Sequence, residues 1–172
     1  ENTSTPERNG DDESDEEVVW DGDYEISDEA TLADLAGYSR VAGSLIVEGA
    51  LAGLPGLEAL RRVDRDIIVR NNEFLADVGG LSGLVAVGTI EVRGNALLPS
   101  LAGLGGLAAV DADFTVEANP ALATLGGMSA LRGIGGALVI ADNPALVGID
   151  GLDALEEVAS TFWISGNAAL VT

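Results

Sequence analysis

The stretch "LVIADNPALVGIDGLDAL", residues 138–155, joins a short apolar run to an asparagine, a proline and evenly spaced apolar residues. Similar segments occur four more times in the chain: "VRNNEFL" at 69–75, "VRGNALL" at 92–98, "VEANPAL" at 116–122 and "ISGNAAL" at 164–170. A motif that returns at a fixed period of 20–50 residues is typical of solenoids, in which each coil buries its apolar side against its neighbours. The stretch is therefore interpreted as one unit of a repeat protein.

Pairs of apolar residues two positions apart mark the repeat along the whole chain. The second members of these pairs follow one another at 21, 22, 23, 24, 24 and 24 residues. Alternation within each pair predicts a short strand with one face turned inward. Stacked strands of this kind predict a mainly β, right-handed parallel β-solenoid of about seven coils. The pairs are Tyr24/Ile26, Leu45/Val47, Ile67/Val69, Ile90/Val92, Phe114/Val116, Leu138/Ile140 and Phe162/Ile164.

Between the strands, apolar residues continue at steps of three. One coil, for example, places apolar residues after Asn143 at Leu146, Ile149, Leu152, Leu155 and Val158 before the next strand. Steps of three suit 3₁₀-like turns better than an α-helix. The glycines of "GLGGL" and "GGLSGL" agree, because tight bends with positive φ favour glycine. The side of the coil away from the strands is therefore predicted to consist of loops and short turns.

A single asparagine lies three residues after the second member of five of these pairs. A carboxamide has both donors and an acceptor, so a stack of such side chains can satisfy turn backbone groups and bridge adjacent coils. A catalytic role for five equivalent copies makes no chemical sense, and a structural role is predicted instead. These residues, called the ladder asparagines below, are Asn72, Asn95, Asn119, Asn143 and Asn167.

The N-terminal region differs in composition from the repeats. Residues 1–23 hold ten Asp and Glu against one Arg, a net charge of 1 − 10 = −9. Such a segment buries too little apolar surface to offset its ordering entropy. Residues 1–21 are therefore predicted to be an acidic disordered linker, and residues 22–172 the repeat solenoid. Because the chain begins with Glu1 rather than Met, a processed or trimmed N-terminus is also expected.

A short helix is predicted at about residues 28–37, ahead of the second strand. Ser27 is the expected N-cap, acidic residues follow in the first turn, and Gly37 can end the helix. Leu32 and Leu35 are three apart and face one side. The helix is expected to cover the first open end of the stacked core, because repeat proteins need such a cap.

The composition excludes several kinds of chemistry. The chain has no Cys and no His, which removes thiol catalysis, disulfides, imidazole acid–base catalysis and most zinc sites. The net charge of −21 is expected to repel nucleic acid and anionic membranes. No apolar run reaches the length of a membrane span, and neither a calcium-loop spacing nor a phosphate loop is present. No cofactor, metal site or catalytic residue is predicted.

The unit "GLxALxxVxxxLxIxxNPxL" resembles the receptor L domain, the ligand-binding module of insulin- and epidermal-growth-factor-type receptors. Bacterial surface proteins and lipoproteins carry similar repeats. "VGTIEVRGNALL" (87–98) resembles the leucine-rich-repeat core, except that its last leucine, Leu98, lies one place later than in that pattern. The resemblance covers about residues 22–172, but the chain lacks the disulfides of the animal receptors. It implies an extracellular or cell-surface, non-enzymatic binding fold, with a lipid anchor upstream as one form of attachment; it does not imply a particular ligand.

The residues that project outward from the strands are the candidate binding residues. They are Glu25/Ser27, Ile46/Glu48, Ile68/Arg70, Glu91/Arg93, Thr115/Glu117, Val139/Ala141 and Trp163/Ser165. Solenoids commonly bind partners through such a face. Charges of both signs lie in the middle of the row, and Ile46, Ile68, Val139 and Trp163 are predicted to be exposed. The candidate ligand contacts are Trp163, Arg70, Arg93, Glu48, Glu91 and Glu117, and the partner is expected to be a protein or a glycan.

Two other functions remain open at this point. The solenoid can be a rigid spacer in a surface assembly. It can also be a glycan hydrolase built on two carboxylates about 5–10 Å apart, although the distribution of the acidic residues fits this function less well. The last repeat ends in "NAALVT" with no visible cap. An uncovered apolar end predicts a strand pairing, a small cap made by the last residues, or a shortened chain. The protein is thus expected to be a monomer or to associate end to end through its C-terminal coil.

Overall fold

A computed structural model describes residues 17–171 of the chain. These residues form a mainly β, parallel β-solenoid of about six turns, with one short α-helix near the N-terminus. The expected number of coils, about seven, is close to this value. Six turns separate the seven successive strands whose anchor pairs defined the repeat.

The described residues contain twelve strands, one α-helix and two 3₁₀ segments. The 3₁₀ segments are Gly79–Gly83 and Ala102–Leu104, and the helix α1 is Glu29–Asp34. The strands are β1 Val19–Trp20, β2 Tyr24–Ile26, β3 Arg40–Val41, β4 Leu45–Val47, β5 Arg62–Arg70, β6 Ala86–Arg93, β7 Ala109–Val110, β8 Phe114–Glu117, β9 Gly133–Ile134, β10 Leu138–Ala141, β11 Glu157–Val158 and β12 Phe162–Ser165.

The strands build two parallel stacks that meet at β5 and β6. The first sheet follows the order β1-β3-β5-β6-β7-β9-β11, and the second follows β2-β4-β5-β6-β8-β10-β12. Strands β5 and β6 run through both stacks, and their register shifts between Val63 and Asp66, where the coil turns its corner. Such an irregularity bends a strand, and here it lets one long strand serve both faces.

The first sheet corrects the prediction of loops and turns alone on the side away from the anchor pairs. Residues at the end of each three-step series, such as Val110 and Ile134, lie in strands of only two residues. An alternation of apolar and polar residues cannot be recognised over two residues. The sequence therefore shows that these positions face inward, but not that they form strands. The 3₁₀ segments do occur where the steps of three and the glycines predicted them.

The core is a continuous column of aliphatic side chains inside the coils. Phe114, Leu138 and Ile140 are 0–1% exposed, as are most of the other anchor residues. At the N-terminal end the column finishes in an aromatic cluster, in which the Trp20 ring lies 4.6 Å from that of Tyr24 and 5.5 Å from that of Tyr38 between centroids. Few aromatic residues are needed because each coil packs in thin layers on the next.

The capping helix is shorter than predicted and begins at a different cap. Asp28, not Ser27, is the N-cap, because its Oδ1 accepts the Thr31 N–H at 2.9 Å. The Thr31 hydroxyl oxygen in turn accepts the Asp28 N–H at 3.1 Å, which completes a capping box. Gly37, with φ of +85°, follows the helix end. Leu32 and Leu35 are buried in the core, as the cap prediction required.

The composition-based boundary of the solenoid is also shifted. Residues 1–16 of the predicted linker lie outside the described residues. Within its remainder, Val19–Trp20 form β1 and pair in parallel with Arg40–Val41. Trp20 is 7% exposed, so these residues belong to the solenoid rather than to the linker.

At the C-terminal end, inward positions that are buried in other coils are open. Phe162 is 52% exposed and Ile164 36%, whereas their counterparts Leu138 and Ile140 are 1% and 0% exposed. We call this surface the C-terminal end. It consists of Phe162, Trp163 and Ile164 together with the partly buried Leu152, Leu155, Val158 and Leu170.

Candidate functional site

The ladder asparagines lie inside the coil and connect each turn to the next. Asn72, Asn95, Asn119 and Asn143 are 0% exposed, and Asn167 is half-buried in the last coil. Each of these four buried residues donates its backbone N–H to the Oδ1 of the next asparagine, over 2.9–3.3 Å. No buried side-chain nitrogen or oxygen in residues 17–171 lacks a hydrogen-bond partner. The ladder therefore offers no group to a ligand.

The residue before each ladder asparagine adopts a left-handed backbone conformation. The φ angles are 54° at Asn71, 64° at Gly94, 54° at Ala118, 53° at Asp142 and 66° at Gly166. Sequence reasoning missed this position, although the Gly, Asn and Asp found there are the residues that tolerate it. One of them, Asn71, belongs to the candidate site.

The candidate site is the outward face of the second sheet, and its centre is a pair of arginines on adjacent strands. Arg70 of β5 and Arg93 of β6 are direct neighbours in register, and Glu117 of β8 is the next residue in the same row. The Arg70 Nε donates to Glu48 Oε2 at 2.7 Å, and the Arg93 Nε lies 2.5 Å from Glu91 Oε1. We call Arg70 and Arg93 the central arginine pair.

Hydrogen bonds beside the central arginine pair hold Glu48, the carboxylate partner of Arg70, in place. Asn71 Nδ2 donates to Glu48 Oε1 at 2.9 Å. The hydrogen bonds from Asn71 and Arg70 lower the pKa of Glu48 below its ordinary value, so this carboxylate is ionised at neutral pH. Only the Nε of each arginine is engaged by a carboxylate, and no Nη atom of either one has a protein partner within the described residues. The Arg70 and Arg93 side chains are 34% and 46% exposed, so both are partly open to solvent.

Trp163 lies on the same face but away from the central arginine pair. It is on β12, beside Val139 of β10, and β8 separates β10 from β6. Three strand spacings of about 4.8 Å place β12, and Trp163 with it, roughly 14 Å from β6, the strand of Arg93. Its indole N–H donates to the Ser165 hydroxyl at 2.8 Å, and the side chain is 56% exposed. The structure therefore groups five of the six predicted contacts and leaves Trp163 separate.

The apolar members of the outward row are less exposed than predicted. Ile46, Ile68 and Val139 are half-buried, and Ala141 is only 6% exposed. In a stack of strands about 4.8 Å apart, neighbouring side chains of one row cover one another, and the smallest ones are hidden first. Trp163 is the exposed apolar residue that the prediction placed correctly.

Sequence reasoning missed a second group of charges, on the outward side of the first sheet. Arg40 contacts Asp64 through Nη2 at 2.6 Å and through Nε, and Arg62 Nε donates to the same carboxylate at 2.9 Å. These hydrogen bonds, that of Arg40 first, lower the pKa of Asp64. Arg40 and Arg62 are direct neighbours in register, 22 residues apart, so the coil spacing could have predicted their proximity.

Other features of the described residues offer little chemistry. A shallow groove of about 360 Å³ lies between α1 and residues 51–55, and Glu29 is the one carboxylate among its lining residues. Within residues 17–171, no three acidic, His or Cys side chains are grouped so that they could hold a metal ion. No helix in that part of the chain combines the length and apolar character needed to cross a membrane.

Comparison with known proteins finds no matching family model, no matching curated protein and no matching solved structure. The structure itself defines the class of protein as a parallel β-solenoid repeat protein.

Proposed function

We propose that this chain is a non-enzymatic binding or adhesion module that recognises a protein or glycan partner outside the cell or at its surface. The observation that carries the proposal is the central arginine pair on the outward face. Two arginines occupy directly neighbouring positions on adjacent strands in a chain of net charge −21, and each pairs with its own carboxylate. The groups are oriented before any partner arrives, which lowers the entropy cost of binding.

The chemistry of the central arginine pair indicates what kind of group it receives. A guanidinium presents a planar set of N–H donors that matches carboxylate, sulfate and phosphate oxygens. The free Nη groups of Arg70 and Arg93 would bind such an acidic group on the partner. The flanking Glu48, Glu91 and Glu117 would exclude strongly anionic polymers and favour a partner with charges of both signs.

The fold and the family resemblance support a role at the cell surface. A solenoid displays a long, flat row of side chains, and repeat proteins use such surfaces to bind. The strand, capping helix and strand at residues 26–49 resemble the start of a receptor L domain, which implies an extracellular, ligand-binding setting. A lipid anchor or a secretory signal upstream would be consistent with that setting.

Two alternative functions have less support. A rigid spacer would need no oriented cations on this face, yet Arg70 donates to Glu48, which Asn71 also holds, and Arg93 forms an ion pair with Glu91. A glycan hydrolase needs two carboxylates about 5–10 Å apart across one groove. The groove beside α1 has Glu29 as its one carboxylate, and Glu48 and Glu91 are engaged with arginines.

The test is a binding screen with charge-matched variants. Wild type and Arg70→Ala/Arg93→Ala are applied to an array of neutral and acidic oligosaccharides and to purified extracellular-matrix proteins. The control, Arg61→Ala/Arg132→Ala, removes the same charge outside the outward face; Arg132 is largely exposed and pairs with Glu156 at 2.8 Å. Loss of at least about tenfold in affinity, equivalent to about 1.4 kcal/mol, is expected only for the first variant. Equal binding by both variants, or no binding by wild type, would overturn the proposal.

A further inference from the structure

The two coils that carry the central arginine pair also expose one large apolar side chain each. Phe74 lies four residues after the first arginine and is 54% exposed, and Leu97 lies four residues after the second and is 52% exposed. Both follow a ladder asparagine by two residues. The Ala96 N–H donates to the Asn72 carbonyl oxygen at 3.2 Å, so the two turns that carry these apolar residues are stacked on each other.

The later coils have small residues at the position of Phe74 and Leu97. The residues two places after the other ladder asparagines are Ala121, Ala145 and Ala169. The strand position of the two arginines is occupied in these coils by Glu117, Ala141 and Ser165. Single exposed apolar residues are common on protein surfaces. Here, however, the large apolar residue and the arginine occur together in the same two coils, which indicates one shared surface.

The apolar and the cationic side chains lie on either side of a corner, where the chain leaves β5 and β6. Asn71 and Gly94, with φ of 54° and 64°, turn the backbone at this corner. Four extended residues span at most about 14 Å, so the Cα atom of each apolar residue lies within that distance of the Cα atom of its arginine. A segment of about five extended residues is therefore long enough to cross this surface. We call the surface the corner patch, and it consists of Phe74, Leu97, Arg70 and Arg93.

The charges around the corner patch decide which class of partner it fits. Two arginines stand against four carboxylates, a net charge of 2 − 4 = −2, and the carboxylates are those of Glu48, Glu73, Glu91 and Glu117. Glu48 and Glu91 pair with the arginines, whereas Glu73 and Glu117 form no ion pair within residues 17–171. The net charge repels a polyanionic glycan, and a neutral glycan offers the arginines no ionic partner.

We propose that the corner patch binds an extended segment of a partner protein. The segment places a large apolar side chain against Phe74 and Leu97 and a carboxylate at the central arginine pair. A basic side chain of the same segment pairs with Glu73 or Glu117. Protein interfaces combine such groups, because aromatic and arginine residues are enriched there and supply much of the binding energy. The choice of partner rests on the proposed function, since the arginine contact is part of both.

A phage-displayed library of random peptides tests the class of partner. Peptides selected on wild type are synthesised, and their affinities are measured by isothermal titration calorimetry. The selected peptides should carry an acidic and a large apolar residue close together. They should bind Phe74→Ala/Leu97→Ala at least about tenfold more weakly than wild type. This variant should fold, because the later coils carry alanine at this position. Circular dichroism and thermal unfolding check its fold, and Leu97→Ala alone replaces it if it is unfolded.

The matched control removes two exposed apolar side chains outside the corner patch. Val85 is 47% and Val147 53% exposed, and the adjacent coils carry alanine at both positions, at Ala108 and Ala123. Val85→Ala/Val147→Ala should therefore fold and bind the peptides as wild type does. The heat-capacity change of binding gives a second readout, since burial of apolar surface makes it negative. It should be less negative for Phe74→Ala/Leu97→Ala and unchanged for the control.

The outcomes separate the corner patch from the proposed function. Peptide binding that is lost in Arg70→Ala/Arg93→Ala but kept in Phe74→Ala/Leu97→Ala would overturn the corner patch alone. Binding of oligosaccharides without binding of any peptide, or an equal loss of affinity in the control variant, would do the same. Peptide binding that needs the apolar residues but not the arginines would overturn the arginine contact and the proposed function with it. Absence of binding by wild type to peptides, oligosaccharides and matrix proteins would overturn both.

Discussion

The side-chain oxygen of Asn143 accepts hydrogen bonds from both the backbone N–H and the Nδ2 of Asn119, at 3.0 and 3.2 Å. The Asn143 Nδ2 in turn donates to Val116 at 3.0 Å and to Ala141 at 2.9 Å. One buried carboxamide thus ties its own coil to the end of the strand in the preceding coil, at Val116 and Asn119. After β4, the Gly49 N–H donates to the Asn72 Oδ1, so the residue that precedes the first ladder asparagine in the stack is not itself an asparagine.

Replacing a central ladder asparagine should be far more costly than replacing the last one. Asn119→Ala leaves the Asn95 N–H and the Val92 carbonyl buried without these partners. At about 1–3 kcal/mol for each unsatisfied group, the free energy of unfolding should fall by about 3–4 kcal/mol. Asn167→Ala, in the half-exposed last coil, should cost about 1 kcal/mol, because water can replace the lost bonds. Urea denaturation measures both, and equal losses would contradict the ladder's role.

Ala118→Gly should stabilise the protein. Ala118 has φ of 54°, where a Cβ is strained, and the equivalent residues in two other coils are Gly94 and Gly166. Relief of the strain should exceed the added entropy of the unfolded chain and raise the free energy of unfolding by about 0.5–1 kcal/mol. Ala121→Gly, at a position without positive φ, is the matched control and should destabilise. A loss of stability in Ala118→Gly would show that the left-handed turn is not strained.

Gly80→Ala should disrupt the stacking of the coils. A Cβ at Gly80 would lie against the Leu54 carbonyl oxygen of the preceding coil, well inside van der Waals contact. Because that neighbour is backbone, the coils must separate, and a loss of more than about 3 kcal/mol is expected. At Gly133 a Cβ meets nothing within 4 Å. Gly133→Ala should therefore be neutral or slightly stabilising, and thermal unfolding of the two variants provides the comparison.

Stability should fall in acid partly through Asp64. Its pKa is lowered in the folded chain by hydrogen bonds from Arg40 and Arg62. A carboxyl group of this kind adds stability above its unfolded pKa, about 3.9 for aspartate, and loses it as the pH falls through the lower folded value. The free energy of unfolding should thus decline below about pH 4, and Asp64→Asn should reduce that slope.

A control for the acid effect is available on the surface. Asp153 is exposed and makes no ion pair within the described part of the chain. Asp153→Asn should leave the acid slope of the unfolding free energy as it is in wild type. An unchanged slope in Asp64→Asn as well would show that the ion pairs of Asp64 do not contribute to folding.

The second sheet could be predicted from the sequence because its signal is long and repeated. Each anchor pair alternates over three residues or more and recurs every 21–24 residues, so pairs such as Leu138/Ile140 identify a strand and its inward face. The first sheet could not be predicted, because strands such as β7 have two residues and show no period. The helix N-cap was misplaced by one residue because Ser27 and Asp28 are both good caps, and Thr31 decides between them.

The candidate site was predictable in its residues but not in its contacts. Outward positions follow from the strand period, which put Arg70 and Arg93 in one row. Their ion pairs depend on side-chain length and on the turn at Asn71, whose left-handed backbone brings its carboxamide to Glu48. The half-burial of Ile68 likewise depends on neighbours in other coils, which a single strand pattern does not specify.

The most direct test of the proposed function compares binding and stability in the same two variants. A glycan or matrix protein that binds wild type is titrated against Arg70→Ala/Arg93→Ala and against Asn119→Ala. The free energy of unfolding of both variants is measured in urea. The arginine variant should lose binding while its free energy of unfolding stays within about 1 kcal/mol of wild type, since exposed ion pairs contribute little to folding. The asparagine variant should lose stability and, while folded, still bind. Wild-type affinity in the folded arginine variant would contradict the assignment of the outward face as the binding surface.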